Sequence, residues 1–392
     1  MDVTIYPKKL TGHVQAIPSK SLAHRALICA ALSDNSTTMN CPDTNKDIEA
    51  TVSCLNAIGA NICRTTNGYY IEPIKDLVIS AQLDCGESGS TLRFILPIVG
   101  ALGIDATIYM HGRLPDRPLS PLWEEMERMG CSLSRPTTTT IRCYGKLKSG
   151  TYSICGGVSS QYITGLLLAQ PLIGPGTEVK VVGTLQSESY IKLTKQVIEQ
   201  FSGKKTTKPY HSPGHIAIEG DWSNGAFFVA AKALGNAVGI SGLSPCSMQG
   251  DRICVALAAK LSNNITIDAA DIPDLVPILA VTAAAKQGAV FKNIARLRLK
   301  ESDRVQTVIS LLRALGAKAE ADENTLTVHA SPFNGCTIDS FNDHRIAMSA
   351  AIAATCASGP VTIKNAQCVE KSYPQFWDVY KQLGGHYEQH IR

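Results

Sequence analysis

The chain alternates polar heads with long apolar bodies. Ser19-Lys20-Ser21 and Arg25 stand at the front of a run, 26–32, that carries no further charge. A helix apolar all round is a buried helix. Ser19 or Ser21 can cap its first turn. Its polar head must then surface where something binds, and a helix N-terminus flanked by Lys and Arg suits an anion. Five later segments repeat the form, headed by Ser88-Gly89-Ser90, Ser159-Ser160-Gln161, Ser223-Asn224, Pro273-Asp274 and Asn342-Asp343-His344-Arg345. The heads recur about every 50–70 residues, the mark of a repeat architecture. A second marker keeps step: helix, glycine-type turn, strand, as at Gly59, Gly130, Ser202-Gly203, Gly316 and Gly384, with Asn263-Asn264 as a weaker sixth.

Between the buried helices lie alternating strands and amphipathic helices. Val3-Thr4-Ile5-Tyr6 reads as a strand, and 60–72 as a hairpin turning at Asn67-Gly68. The second unit predicts strand 77–81, helix 88–102, strand 105–109 and helix 119–129. The third predicts helix 159–172, strand 178–182, helix 188–201 and strands to about 218. Glu219-Gly220-Asp221-Trp222-Ser223 reads as a junction. The predicted class is α/β, with six βαβαββ units, three per domain. Residues 13–220 form the first domain. Residues 1–12 with 221–392 form the second. Helix heads of both face the cleft between them, the expected active site.

Composition narrows the class. A chain of 392 residues usually exceeds one core. With 44% hydrophobic and 18% charged residues it reads as ordered and globular. A net charge of +4 is too small to argue for nucleic acid. Thirteen scattered cysteines, without metal-type spacing, predict free thiols in a cytoplasmic protein. The uncharged runs are short or broken by Gly and Pro, so no membrane span is expected.

The candidate chemistry is cationic. Lys20, Arg25, Arg93 and Arg345 stand at helix heads. Arg117 is held in Leu114-Pro115-Asp116-Arg117-Pro118. Arg296, Arg298, Lys300 and Arg304 crowd one segment, entered as strand or loop, and Lys371 precedes the last helix. One such residue alone would be a solvated surface charge. Their recurrence at helix starts, where Lys is unfavourable, points to anion sites. Asp274 and Glu301 lie among these cations, a pairing suited to proton transfer on an anionic substrate. His24 and His344 read as hydrogen-bonded structural residues. No phosphate-loop, dinucleotide or zinc motif occurs.

Taken in order, Ser19-Lys20-Ser21, Ser88-Gly89-Ser90-Thr91, Asp116-Arg117-Pro118, Ser159-Ser160-Gln161, Pro273-Asp274, Lys300-Glu301-Ser302-Asp303-Arg304, Asp343-His344-Arg345 and Lys371-Ser372-Tyr373-Pro374 resemble the signature segments of the 5-enolpyruvylshikimate-3-phosphate synthase family. The resemblance spans the chain. It implies the two-domain inside-out α/β barrel of enolpyruvyl transferases. It also implies transfer of the enolpyruvyl group of phosphoenolpyruvate to the 5-hydroxyl of shikimate 3-phosphate, through a tetrahedral intermediate that loses phosphate. By this resemblance Asp274 is the base, and Glu301 the proton donor with Lys20 beside it. Lys20, Ser21, Arg25, Ser159, Ser160, Gln161, Ser187, Tyr190, Asp274 and Lys300 hold shikimate 3-phosphate. Lys20, Gly89, Arg117, Gln161, Arg304, Arg345 and Lys371 hold phosphoenolpyruvate. No cofactor, metal, nucleic acid or membrane is implied, and the expected state is a monomer.

Two features depart from the family pattern. The glycine loop, commonly Asn-Ala-Gly-Thr, is Glu87-Ser88-Gly89-Ser90 here, with an acid beside the donor loop. Arg296 stands where some members carry a substrate-binding Asn, and takes no role. The nearest alternative is the sister transferase acting on UDP-N-acetylglucosamine. It generally uses a mobile-loop cysteine, which 111–117 lacks; Cys131 reads as core.

Overall fold

The computed structural model describes residues 1–203 and 209–390. The chain divides into two units, Pro18–Glu219 and Met1–Ile17 with Gly220–Arg392. The expected boundary at 12/13 shifts to 17/18 for a hydrogen-bonding reason. Strand Thr11–Gln15 pairs in parallel with Ala237–Ser241, Val14 opposite Ile240, and this draws 13–17 into the second unit. Asp221 N–H then donates to the Ile17 carbonyl at 2.8 Å, and Gly220 goes with it.

In the first unit three helices, Lys20–Ala31, Gly89–Leu102 and Ser160–Ile173, are largely buried. Their sequence demands it: apart from Arg25 and Arg93, none carries a charge beyond the first residue. The first and third run beside the amphipathic helix Glu188–Gln200, which buries Ile191, Leu193, Thr194 and Val197. Gly89–Leu102 packs closely on Ser160–Ile173, and the reason is local. Pro97 has no N–H to offer the Arg93 carbonyl four residues earlier. That carbonyl oxygen sits where a Cβ on Gly165 would lie, so any side chain there would push the helices apart.

Around these helices run two four-stranded sheets. One has the order His215–Ala217, Thr37–Asn40, Gly68–Glu72, Asn61–Thr65. The other has Ser80–Asp84, Asp105–Tyr109, Thr140–Gly145, Cys131–Thr137. The hairpin at Asn67-Gly68 forms as predicted. The third sheet has only two described strands, Thr151–Cys155 and Glu178–Val182. The strands expected up to 218 reduce to His215–Ala217, which joins the first sheet beside Thr37–Asn40. Residues 204–208 of that stretch lie outside the described residues.

The second unit repeats the plan. Its buried helices are Trp222–Ala233, Val276–Ala284 and His344–Ala354, the last two buried at every residue. One sheet runs Ile265–Asp268, Ala289–Lys292, Thr325–Val328, Ala319–Ala321. Another runs Cys336–Asp339, Val361–Lys364, Asp2–Tyr6, His386–His390. The N-terminal strand thus fills the place a hairpin strand takes elsewhere, pairing antiparallel with both neighbours. Thr11–Gln15 and Ala237–Ser241 make the remaining two-stranded sheet. The weak marker at Asn263-Asn264 has its explanation here: no hairpin follows it, and the next strand already belongs to the next sheet.

Candidate active site

Each unit gathers the heads of its buried helices. In the first, Ser19 holds the N-cap position of Lys20–Ala31 without a side-chain bond to the first turn, unlike the capping expected. Arg25, one turn in, is 2% exposed. Its Nη1 donates to the Ser21 carbonyl at 2.6 Å and its Nε to Thr194 Oγ1 at 2.8 Å. Its Nη2 reaches Thr164 Oγ1 at 3.3 Å and the Tyr190 carbonyl at 3.4 Å. It also lies 5.1 Å from the centre of the Phe94 ring. None of these partners is a carboxylate, and burial pulls its pKa down to about 10. A buried cation so placed is short of negative charge. Lys20 Nζ pairs with Asp47 Oδ2 at 2.8 Å.

The second head is built on a glycine. Ser88 caps Gly89–Leu102, accepting from Thr91 N–H at 3.2 Å. A Cβ on Gly89 would stand 2.5 Å from Arg93 Nη1 and 2.6 Å from Arg117 Nη1. Two guanidinium groups therefore lie against this one backbone position. Arg93 is anchored, donating to Gln161 Oε1 at 3.1 Å and to the Pro118 carbonyl at 3.0 Å. Gln161 Nε2 donates in turn to Ser90 Oγ at 3.0 Å, tying the second head to the third. Arg117 is 8% exposed, and its Nε finds no partner among the described residues. Ser159 caps the third helix through the Gln161 N–H at 3.3 Å, and Ser160 is buried beside it. Ser187 is buried at the start of Glu188–Gln200 with φ 57°, left-handed in a non-glycine residue.

His24 is structural, as expected. Its Nδ1 meets Thr51 Oγ1 at 2.7 Å, and burial together with Lys20 and Arg25 keeps its pKa well below the ordinary value. Thr51 continues to Thr91 Oγ1 at 2.7 Å. Cys131 is core, as expected.

In the second unit the sequence-predicted acids and bases form one ionic cluster. Arg304, 1% exposed, opens the helix Arg304–Ala314 behind its N-cap, Asp303. Its Nη1 meets Asp274 Oδ1 at 2.6 Å, its Nη2 meets Glu301 Oε2 at 2.6 Å, and its Nε meets Asp343 Oδ2 at 2.9 Å. Asp274 Oδ2 accepts from Arg345 Nη2 at 3.0 Å, and Lys300 Nζ stands 3.4 Å from Oδ1. Burial alone would raise the Asp274 pKa. Arg345, Lys300 and Arg304 outweigh it and hold the carboxyl well below the usual range. Burial also lowers the Lys300 pKa. Lys371 Nζ donates to the Asn342 carbonyl at 2.8 Å. Phe341 and Asn342, both at positive φ, turn the chain into the helix that carries Arg345.

Several participants carry no sequence signal of their role. Thr164, in an apolar helix, and Thr194, on the buried face of the amphipathic helix Glu188–Gln200, solvate Arg25. Asp47 pairs with Lys20 from another helix. Asp343 was visible as a head, but its bond to Arg304 was not. Among the described residues no group of His, Cys, Asp and Glu is placed to hold a metal ion.

Comparison with known proteins shows the family and the fold. A family model described as EPSP synthase (3-phosphoshikimate 1-carboxyvinyltransferase) matches residues 5–380. A 3-phosphoshikimate 1-carboxyvinyltransferase of Clostridium kluyveri is 35% identical over 98% of this chain and 97% of its own. One of Clostridium perfringens is 36% identical over 98% of both. Among solved structures, EPSP synthase of Acinetobacter baumannii superposes with a TM-score of 0.77 at 22% identity, covering 99% of this chain and all of the other. The enolpyruvyl transferase NikO of Streptomyces tendae does so with 0.71 at 16%, covering 99% and 98%. These two likenesses establish the fold, the two-domain enolpyruvyl transferase fold. With the family model matched almost end to end and relatives of this identity over nearly the full length, the chain belongs to the EPSP synthase family.

Proposed function

We propose that Asp274 and Glu301 are the proton-transfer pair of an enolpyruvyl transfer from phosphoenolpyruvate to shikimate 3-phosphate. That transfer is this chain's reaction: a transferase step in aromatic amino acid biosynthesis. The observation that carries the assignment of roles is the Asp274 carboxylate held by Arg304, Arg345 and Lys300. Asp274 takes the proton of the 5-hydroxyl as that oxygen attacks the central carbon of phosphoenolpyruvate. Glu301, with Lys20 sharing the task, delivers a proton to the methylene carbon. The tetrahedral adduct then expels phosphate as its methyl carbon returns a proton to Glu301, which restores the methylene.

The ionic cluster explains how a weak base could act. Held by three cations, Asp274 is ionised but has little affinity for a proton. An anionic donor competes for Arg345 and Lys300, and each cation drawn away returns basicity to Asp274. Ser21, Arg25, Ser159, Ser160, Gln161, Ser187 and Tyr190 hold shikimate 3-phosphate, joined by Lys20, Lys300 and Asp274 itself. Gly89, Arg117, Gln161, Arg304, Arg345 and Lys371 hold the donor, again with Lys20. Among the described residues Arg25 and Arg117 are buried without carboxylate partners, as cations awaiting anions would be. The same reading takes the enzyme as a cytoplasmic monomer; no described helix is long and apolar enough to cross a membrane.

The alternative acceptor, UDP-N-acetylglucosamine, is not favoured by the relatives. Phosphate release measured with each acceptor in turn checks this: turnover is expected with shikimate 3-phosphate alone. Gly89→Ala tests the donor site in the same assay. An added methyl would stand 2.5 Å from Arg93 Nη1 and 2.6 Å from Arg117 Nη1, so both guanidinium groups must shift. The expected result is a KM for phosphoenolpyruvate raised about tenfold or more with a smaller change in kcat, since a misplaced buried cation costs on the order of 2 kcal/mol. An unchanged donor KM would take Gly89 and Arg117 out of the donor site.

A further inference from the structure

Asp251 has none of the roles assigned above. It lies in the short turn Gly250–Ile253 and is 3% exposed. Its Oδ2 accepts a hydrogen bond from Ser223 Oγ, while its Oδ1 is buried with no hydrogen-bond partner among the described residues. Ser223 looks the other way with its backbone: its carbonyl accepts from Arg345 Nη1 at 3.4 Å. Arg345 Nη2 then donates to Asp274 at 3.0 Å. One chain of hydrogen bonds thus runs from Asp251 through Ser223 and Arg345 to Asp274.

The turn is pinned in place. Gln249 Oε1 accepts from Trp222 N–H at 3.1 Å, and its Nε2 donates to the Gly220 carbonyl at 2.8 Å. Asp251 cannot swing out to water without breaking these contacts. A carboxylate with a bare buried oxygen is costly, and a neutral acid much less so. The ionisable groups facing it are Asp221 and Asp274, Arg345 and the thiol of Cys254. Burial and then the Asp274 charge push its pKa up. Arg345 and the Ser223 hydroxyl pull it back, leaving it at about 7.

We propose that Asp251 is a positioning residue for Arg345: as a neutral acid it leaves the guanidinium to an anionic donor, and as a carboxylate it retains that charge for itself. The inference rests on the reading of Arg345 as a donor-binding residue. The sign follows from linkage. A donor anion at Arg345 adds negative charge near Asp251 and favours its neutral form. Equally, ionisation of Asp251 weakens the donor. Donor affinity should therefore fall as pH rises through about 7.

The test is the KM for phosphoenolpyruvate across that range, in the wild type and in Asp251→Asn, by phosphate release. Ionisation of the donor itself is common to both and cancels in the ratio. The wild-type KM divided by the variant KM is expected near unity at about pH 6, rising to roughly fivefold or more at about pH 8. Asp251 faces the Asp274 carboxylate as well, so the kcat ratio is expected to drift with pH too, and the KM ratio is the readout that decides. A folded Asp251→Asn whose KM ratio does not change with pH overturns the proposal. Ser223→Ala decides the matter should the Asn variant not fold. It keeps Asp251 but removes the bond that favours the carboxylate, so the inflection should move to higher pH; an unmoved inflection overturns the proposal. Arg345→Ala separates the two levels. An unchanged donor KM there removes Arg345 from the donor site and this inference with it. A raised donor KM together with a flat Asp251 ratio overturns this inference alone.

Discussion

Asp274→Asn will bind shikimate 3-phosphate yet turn over about 10²–10⁴-fold more slowly, the usual worth of general-base assistance. The side chain keeps its size, and it sits just before Val276–Ala284, a helix buried at every residue. The amide oxygen can still accept from Arg304 or Arg345, which in the wild type take one carboxylate oxygen each. The NH2 in the other place faces a donor, so one of the two contacts is lost while the amide keeps the shape. What it lacks is a lone pair able to take the hydroxyl proton. It also lacks the charge that occupies three cations, so affinity for anionic ligands should hold or rise. Calorimetry of the acceptor and phosphate release give the two numbers. Near-normal turnover would remove Asp274 as the base and point to Glu301. Asp343 is the poorer substitute: it is fully buried and bound to Ser302 Oγ at 2.9 Å as well as to Arg304.

The pattern of apolar helices with polar heads was legible because burial on all sides leaves no other place for such segments. Strands 105–109 and 178–182 fall where alternation put them. Pairing was less legible. Nothing in Thr11–Gln15 says that it will join Ala237–Ser241, since register between distant strands depends on the whole fold. The hairpin expected in the fourth unit does not form among the described residues, because a glycine-type turn ends a helix equally well before a loop. At the site, charged residues were legible by their recurrence at helix starts. The neutral groups that set those charges were not. Thr164, Thr194 and the Tyr190 carbonyl solvate Arg25 by tertiary contact, and a threonine on the buried side of a helix carries no mark of that task. Asp251 sits in a turn too short for any period to show.

Arg304 is where removal of one side chain should cost the most stability. Its guanidinium faces three carboxylates, of Asp274, Glu301 and Asp343, and it is itself 1% exposed. Arg304→Met fills similar space but leaves buried negative charge without its counter-ion. Breaking a buried pair from one side typically costs about 3–5 kcal/mol. Arg304→Lys should recover only part of this, because one ammonium cannot present a fork to three acceptors. The pH dependence identifies the cause. In the wild type the Asp274 pKa lies well below its unfolded value, so its contribution is complete above the ordinary carboxylate range, near about 4, and is lost as pH falls toward the folded value. With Arg304 gone, Lys300 and Arg345 remain and the depression is smaller, so the variant has less to lose in acid. Urea unfolding should therefore show the widest gap between wild type and Arg304→Met near neutrality, closing as pH falls below about 4. A loss under about 1 kcal/mol, the range of an exposed ion pair, would mean that the cluster is solvated and that the three carboxylates do not depend on this cation. A large loss that ignores pH would instead assign Arg304 a packing role, with its long side chain mattering more than its charge.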